Sequence, residues 1–176
     1  AEAIVTTDVG QHQMWVAQHW RFDHPRNHLT SGALGAMGFG LPAAIGAQMV
    51  KPEAQVICVS GDGSFLMNVQ ELATVARYRL PVKIVLLDNA SLGMVRQWQE
   101  LIHGNRLSHS WNAALPDFVT LAKAFGWGAL CVSTPQQLQA GLRECFSHPG
   151  PFFLDVRVAA RENCYPMIPA GSGHQK

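Results

Sequence analysis

This sequence is short of charge. Only 14% of its 176 residues are Asp, Glu, Lys or Arg, and the formal net charge is +1, so it lacks both the broad basic surface that nucleic acid demands and an acidic tail. A small ligand is the expected partner. Long apolar runs are missing as well: nothing approaches the ~20 consecutive apolar residues of a membrane-crossing helix, and no basic segment leads into an apolar one at the start. The sequence thus predicts a cytoplasmic chain with no membrane span and no obvious address. Cysteine is sparse, and Cys58, Cys131, Cys145 and Cys164 form no C-x-x-C pair and have no His at zinc-ligand spacing. That argues against a zinc site and for buried or incidental thiols in a reducing compartment, with Cys58 and Cys131 inside strand-like apolar runs.

What is present is a 48% hydrophobic composition, enough for one well-packed domain. Five Trp, six Met and eight Phe beside so little charge predict that another domain or subunit covers part of the surface. Residues 3–7 already read as a strand with no preceding cap or linker, as expected of a piece of a longer polypeptide. Apolar β-branched runs recur at 4–6, 56–59, 82–87, 129–132 and 152–158, with helical patterns between them. The fold class is α/β, with an open, mostly parallel sheet flanked by helices on both faces, because the strands are almost continuously apolar rather than alternating.

Four helices announce their ends. One starts near Leu41-Pro42 and runs through 43–50 to Pro52. A second starts at Asn68, in a capping box with Glu71, and reaches Arg79. A third covers 117–125 and stops at Gly126. The fourth has Thr134 as N-cap, Pro135 at the first position and Gln137 three after the cap, and extends to Phe146. The stretch 92–115 has no sustained period, apart from a short helix expected over 94–101, and loops of that length often act as lids. The tail 159–176 should be irregular, ordered only where it packs on something.

The chemistry gathers at two strand ends. Gly61-Asp62-Gly63 follows the run 56–60, and Asn89 follows 82–88. Neighbouring strands of a parallel sheet finish on one edge, where ligands bind in crevices, so a carboxylate and a carboxamide there can reach one hard cation. The glycines let backbone N–H groups approach an anion closely. A plain Asp-Gly turn is the alternative for Asp62, and Asn89 tips the balance toward a metal ligand. Magnesium takes about six oxygens: Asp62, Asn89, a backbone carbonyl at Ser91, two phosphate oxygens and a water would supply them.

Gly61-Asp62-Gly63-Ser64 through Asp88-Asn89 resembles the thiamine diphosphate fingerprint. That family usually has two Asn at the second strand end; here Asp88 takes the first place, and Asn89 matches the second, the family's metal ligand. The segments 7–15 (TDVGQHQMW), 31–42 (SGALGAMGFGLP), 92–99 (LGMVRQWQ) and 166–171 (PMIPAG) are similar to the catalytic subunit of the acetohydroxyacid synthases, or acetolactate synthases. The resemblance covers the whole chain but only the last third of that subunit.

It implies the following roles. Val9, Gly10, Gln11 and His12 bind the cofactor at the first strand end, the last three at its diphosphate. Gly35 offers its carbonyl to the aminopyrimidine, and Met37 fills the bend of the folded cofactor. Gly61, Asp62, Gly63, Ser64, Asn89, Ser91, Gly93, Met94 and Val95 complete the cofactor site, with Asp62, Asn89 and the Ser91 carbonyl on the metal. Met94, Val95 and Trp98 stand at the mouth of the substrate channel, Trp98 facing the second 2-ketoacid. Met37 and Trp98 thus support catalysis, and the tail around 166–171 closes over the channel.

Residues 1–158 would then be the domain binding thiamine diphosphate and Mg2+, and 159–176 its tail. The implied activity condenses two pyruvates, or pyruvate and 2-ketobutyrate, with decarboxylation, in branched-chain amino acid biosynthesis. The family's catalytic Glu lies on the N-terminal, pyrimidine-binding domain of a partner subunit, and its FAD mainly on a middle domain absent here, so this chain alone should be inactive. A homo-oligomer with a small regulatory subunit is implied too. Two alternatives stay open: another thiamine diphosphate-dependent 2-ketoacid decarboxylase or carboligase, or a non-catalytic fragment that only binds a partner.

Overall fold

Apolar side chains on consecutive strand positions demand cover on both faces of a sheet, and the fold supplies it. The computed structural model describes residues 3–168 and 171–173. In chain order the strands are β1 (Ala3–Thr7), β2 (His28–Thr30), β3 (Gln55–Gly61), β4 (Lys83–Asp88), β5 (Gly128–Val132) and β6 (Phe152–Arg157). The helices are α1 (Gln11–His19), α2 (Gly40–Val50), α3 (Asp62–Leu66), α4 (Glu71–Tyr78), α5 (Gly93–Leu101), α6 (Phe118–Ala124) and α7 (Pro135–Ser147), with a 3-10 turn at Pro25–Asn27. All pairings are parallel, in the order β2-β1-β3-β4-β6-β5.

The alternation of β3 divides the core. Val56 and Cys58 face a cluster with Leu41 and Ile45 of α2, Leu72 and Val75 of α4, and Phe118 of α6. Ile57 and Val59 face Val16 of α1, and α7 brings Cys145 onto Phe152 and Leu154 of the same opposite face. Phe65, three residues beyond Asp62, stacks edge-on against Phe118 and Phe153 with ring centroids 5.9 and 5.0 Å apart. That aromatic contact anchors the turn after β3 in the core.

Two of the expected helix ends form as the residues suggest. Asp117 accepts from Thr120 N–H at 2.9 Å, and the side-chain oxygen of Gln137 accepts from the N–H groups of Thr134 and Ser133. The capping box at Asn68 does not form. The helix starts at Glu71, and Asn68 turns away to donate to the Gly38 carbonyl at 2.6 Å, while Glu71 accepts from Thr74 within its own helix. Cys58 is buried as expected, but Cys131 is exposed, because β5 is an edge strand. The stretch 92–115 contains α5, followed by a loop tied back through Leu92 N–H to Ser110 O and Asn112 N–H to Ala90 O, each 2.8 Å. Pro169 and Ala170 of the expected lid, like 174–176, lie outside the described residues.

Among the described residues, no helix is long and apolar enough to cross a membrane. Phe65→Ala removes the aromatic anchor and leaves a cavity, so it should cost about 3–5 kcal/mol. Equilibrium urea unfolding checks this, and a loss below about 1 kcal/mol would mean the cluster is not what holds the turn.

Candidate functional site

The chain order makes a crevice before any side chain is considered. From β1 the chain goes to β2 on one side and then, through α2, to β3 on the other, so the ends of β1 and β3 diverge as at a topological switch point. The turns after β1, β3 and β4 open there on one cavity. Val9, Gly10, Gln11 and His12 reach it from β1, Gly61, Asp62, Gly63 and Ser64 from β3, and Asn89, Ser91, Gly93, Met94 and Val95 from β4; Met37 also lines it. Gly35 and Trp98 do not. Gly35 lies on an exposed loop beside Leu34, which is 92% exposed, and Trp98 stands 46% exposed on α5.

Parallel pairing puts Gly61 opposite Leu87, and hence Asp62 and Asn89 at adjacent strand ends. One oxygen of Asp62 accepts from Gly63 N–H at 2.8 Å; the other, Oδ2, is buried without a partner. Burial pushes this carboxyl up to about 6, eased by the hydrogen bond from Gly63 and helped by the nearby Asp88 charge. A buried carboxylate oxygen with nothing to bind is costly, and a cation answers that cost. Asn89 Oδ1 accepts from Ser91 N–H at 3.0 Å, which leaves the amide oxygen a second lone pair. Among the described residues no three His, Cys, Asp or Glu cluster as a metal site. One carboxylate with amide and carbonyl oxygens suits magnesium, which draws other ligands from a phosphate and water.

Asp88, the departure from the usual pair of Asn, is tied down. Arg157, its parallel-register partner on β6, approaches it at 2.6 Å and Asp155 at 2.9 Å. One guanidinium thus offsets much of the extra acid. His12 is buried, its ring nitrogen Nε2 is unpartnered, and burial lowers its pKa to about 4. It is a neutral group at pH 7. The helices α1 and α5 both begin on the cavity wall, and their first N–H groups have no carbonyl of the helix to bond. Two helix N-termini favour an anion. Gly93 is needed for close approach, since a Cβ there would lie 2.0 Å from Gln11 Oε1.

Sequence reasoning passed over three supporting residues. Asp8, 1% exposed, accepts from the N–H groups of Val9 and Gly38 with Oδ1 and from Gly40 N–H and Ser60 with Oδ2. Asn68 holds the other side of Gly38, whose φ of +86° suits glycine. Together they fix the backbone next to Met37. The signal was present in a lone acid at the end of β1, two residues before Gly10. Trp15, from the second turn of α1, also lines the cavity.

A family model described as the C-terminal TPP binding domain of thiamine pyrophosphate enzymes matches residues 8–156. This chain belongs to that family. Domains of this family bind thiamine pyrophosphate, also called thiamine diphosphate, and the α/β fold expected of them is the one observed. The domain is 51% identical over 176 residues to the acetolactate synthase isozyme 2 large subunit of Escherichia coli (strain K12), covering 100% of this chain and 32% of the relative. It is 50% identical over 174 residues to the acetolactate synthase large subunit of Porphyra purpurea, 98% of this chain and 29% of that protein. The chain thus spans about a third of the length of the curated relatives it matches.

Asp62 and His12 pull stability in opposite directions with pH. The raised Asp62 pKa stabilises the metal-free fold below pH 4, and that contribution is lost as pH rises through about 6; the lowered His12 pKa makes the fold lose stability as pH falls from 6.5 toward 4. Asp62→Asn should therefore raise metal-free stability at pH 7 by on the order of 1–2 kcal/mol, with the gain vanishing below pH 4. Urea unfolding in chelator from pH 4 to 7 reads this, and a gain that does not change with pH would contradict it.

Proposed function

We propose that this chain is the diphosphate- and Mg2+-binding part of a thiamine diphosphate-dependent acetolactate synthase of the cytoplasm. It condenses two pyruvates, or pyruvate and 2-ketobutyrate, with loss of carbon dioxide, for branched-chain amino acid synthesis. The observation that carries the metal is the buried, unpartnered Asp62 Oδ2 beside Asn89 on a cavity where two helices begin. The likeness to acetolactate synthase large subunits supports the reaction.

In this proposal Asp62 and Asn89 hold the cation with the Ser91 carbonyl, and Gly10, Gln11 and His12 receive the diphosphate. His12, neutral, adds hydrogen bonding without charge. Met37, held by the clamp of Asp8 and Asn68 on Gly38, packs against the bend of the cofactor and Gly35 offers its carbonyl to the pyrimidine. The bound cofactor supplies the electron sink for decarboxylation. Met94 and Val95, apolar residues at the start of α5, exclude water from the reacting end, and Trp98 meets the second ketoacid. Trp98 and Leu34 gain cover only when another domain or subunit lies against them, which fits a homo-oligomer with a pyrimidine-binding domain across the interface. FAD on another domain and a small regulatory subunit complete the assembly.

Among the described residues, no glutamate lines the cavity. The proton-transfer carboxylate comes from the partner domain, so the isolated chain should form no acetolactate from pyruvate in a colorimetric assay; turnover by the chain alone would overturn this division of labour. In the assembled enzyme, Asp62→Ala should abolish Mg2+-dependent retention of thiamine diphosphate. Equilibrium dialysis that finds the affinity unchanged would remove Asp62 from the ligand set.

A further inference from the structure

The orientation of Asn89 is set from outside its own loop. Asn89 Nδ2 donates to Gln11 Oε1 at 3.4 Å, and Gln11 Nε2 donates to Gln97 Oε1 at 2.8 Å and to the Glu162 carbonyl at 2.9 Å. Gln97, on α5, is 1% exposed. Its Nε2 donates to the Cys164 carbonyl at 2.9 Å and to Met167 Sδ at 3.4 Å, and its Oε1 also accepts from Cys164 N–H at 2.9 Å. Two donors and two acceptors are all a carboxamide has.

With every position filled, the Gln97 amide cannot turn over. Exchange of its oxygen and nitrogen would set N–H groups against the Cys164 N–H and the Gln11 amide nitrogen. Buried polar networks satisfied in this way select one arrangement. The choice passes along the chain of amides: Gln97 fixes which end of Gln11 is nitrogen, so Gln11 presents its oxygen to Asn89, and Asn89 turns its own oxygen to Ser91 N–H.

We propose that Gln97 is a positioning residue for the metal site, holding Asn89 through Gln11 with its carboxamide oxygen toward the cation. This rests on the cofactor site proposed above. Residues that orient a metal ligand commonly change metal affinity about 10–100-fold when removed. Gln18 provides the comparison. It donates to the Pro166 carbonyl at 3.1 Å and accepts from Cys164 Sγ, so it ties the same tail segment through hydrogen bonds that involve neither Gln11 nor Gln97.

The test uses the intact enzyme stripped with chelator and reloaded with thiamine diphosphate over a Mg2+ series, with tryptophan fluorescence reporting retention. Gln97→Met should raise the half-saturating Mg2+ concentration about tenfold, whereas Gln18→Ala should stay within about twofold of wild type while hydrogen exchange at 162–167 speeds up in both. Should Gln97→Met fail to fold, Gln97→Asn keeps an amide but cannot span both Gln11 and Cys164, and should show the same shift. Unchanged Mg2+ dependence in the Gln97 variants, or an equal shift in Gln18→Ala, would overturn the proposal and leave the cofactor site standing. Wild-type enzyme that retains no cofactor at any Mg2+ concentration would overturn both.

Discussion

Parallel pairing of β3 with β4 is the constraint on which the rest depends. Because Gly61 stands opposite Leu87, the chain leaves both strands at the same level, and Asp62 and Asn89 arrive together though far apart in sequence. An antiparallel pair would have sent them to opposite edges. The aromatic contact of Phe65 with Phe118 and Phe153 then prevents the turn after β3 from drifting, and the ion pairs of Arg157 hold Asp88 on the other side. Core packing and surface charge thus serve the same few ångströms of sheet edge.

The site stores an unfavourable state that a ligand relieves. Asp62 Oδ2 and His12 Nε2 are buried without partners, and burial drives each group toward its neutral form. Each unmet group costs roughly 1–3 kcal/mol. A cation against Asp62 would settle the first cost and draw an anion to the helix starts beside it, so metal and phosphate are expected to bind as a pair.

The sheet was legible because parallel strands covered on both faces leave long apolar runs, and five of the six strands among the described residues stand where those runs lie. β2 escaped, as His28-Leu29-Thr30 is too short and too polar to stand out. So did α1, whose Gln11-His12-Gln13 start has neither a capping side chain nor a clear apolar stripe. The Asn68 box failed for a different reason: a nearby carbonyl in a conformation that needs support outcompeted the helix end. Gly61, Asp62 and Asn89 could be read from local spacing and strand position alone, whereas Gly10, Met37 and Gly93 became visible only through resemblance to a family. Asp8 left a local trace, a lone acid at the end of β1, but Gln97 acts through contacts that join distant segments, and no local pattern marks it.

One cation held between two strand ends is what the proposed site requires. A crystal structure of the intact enzyme with thiamine diphosphate and Mn2+ in place of Mg2+ tests that by anomalous scattering. The predicted result is a single strong peak within about 2.3 Å of Asp62 Oδ2 and Asn89 Oδ1, with phosphate oxygens on its other side. A peak bound elsewhere, or a diphosphate seated in the cavity with Asp62 Oδ2 still unpartnered, would contradict it.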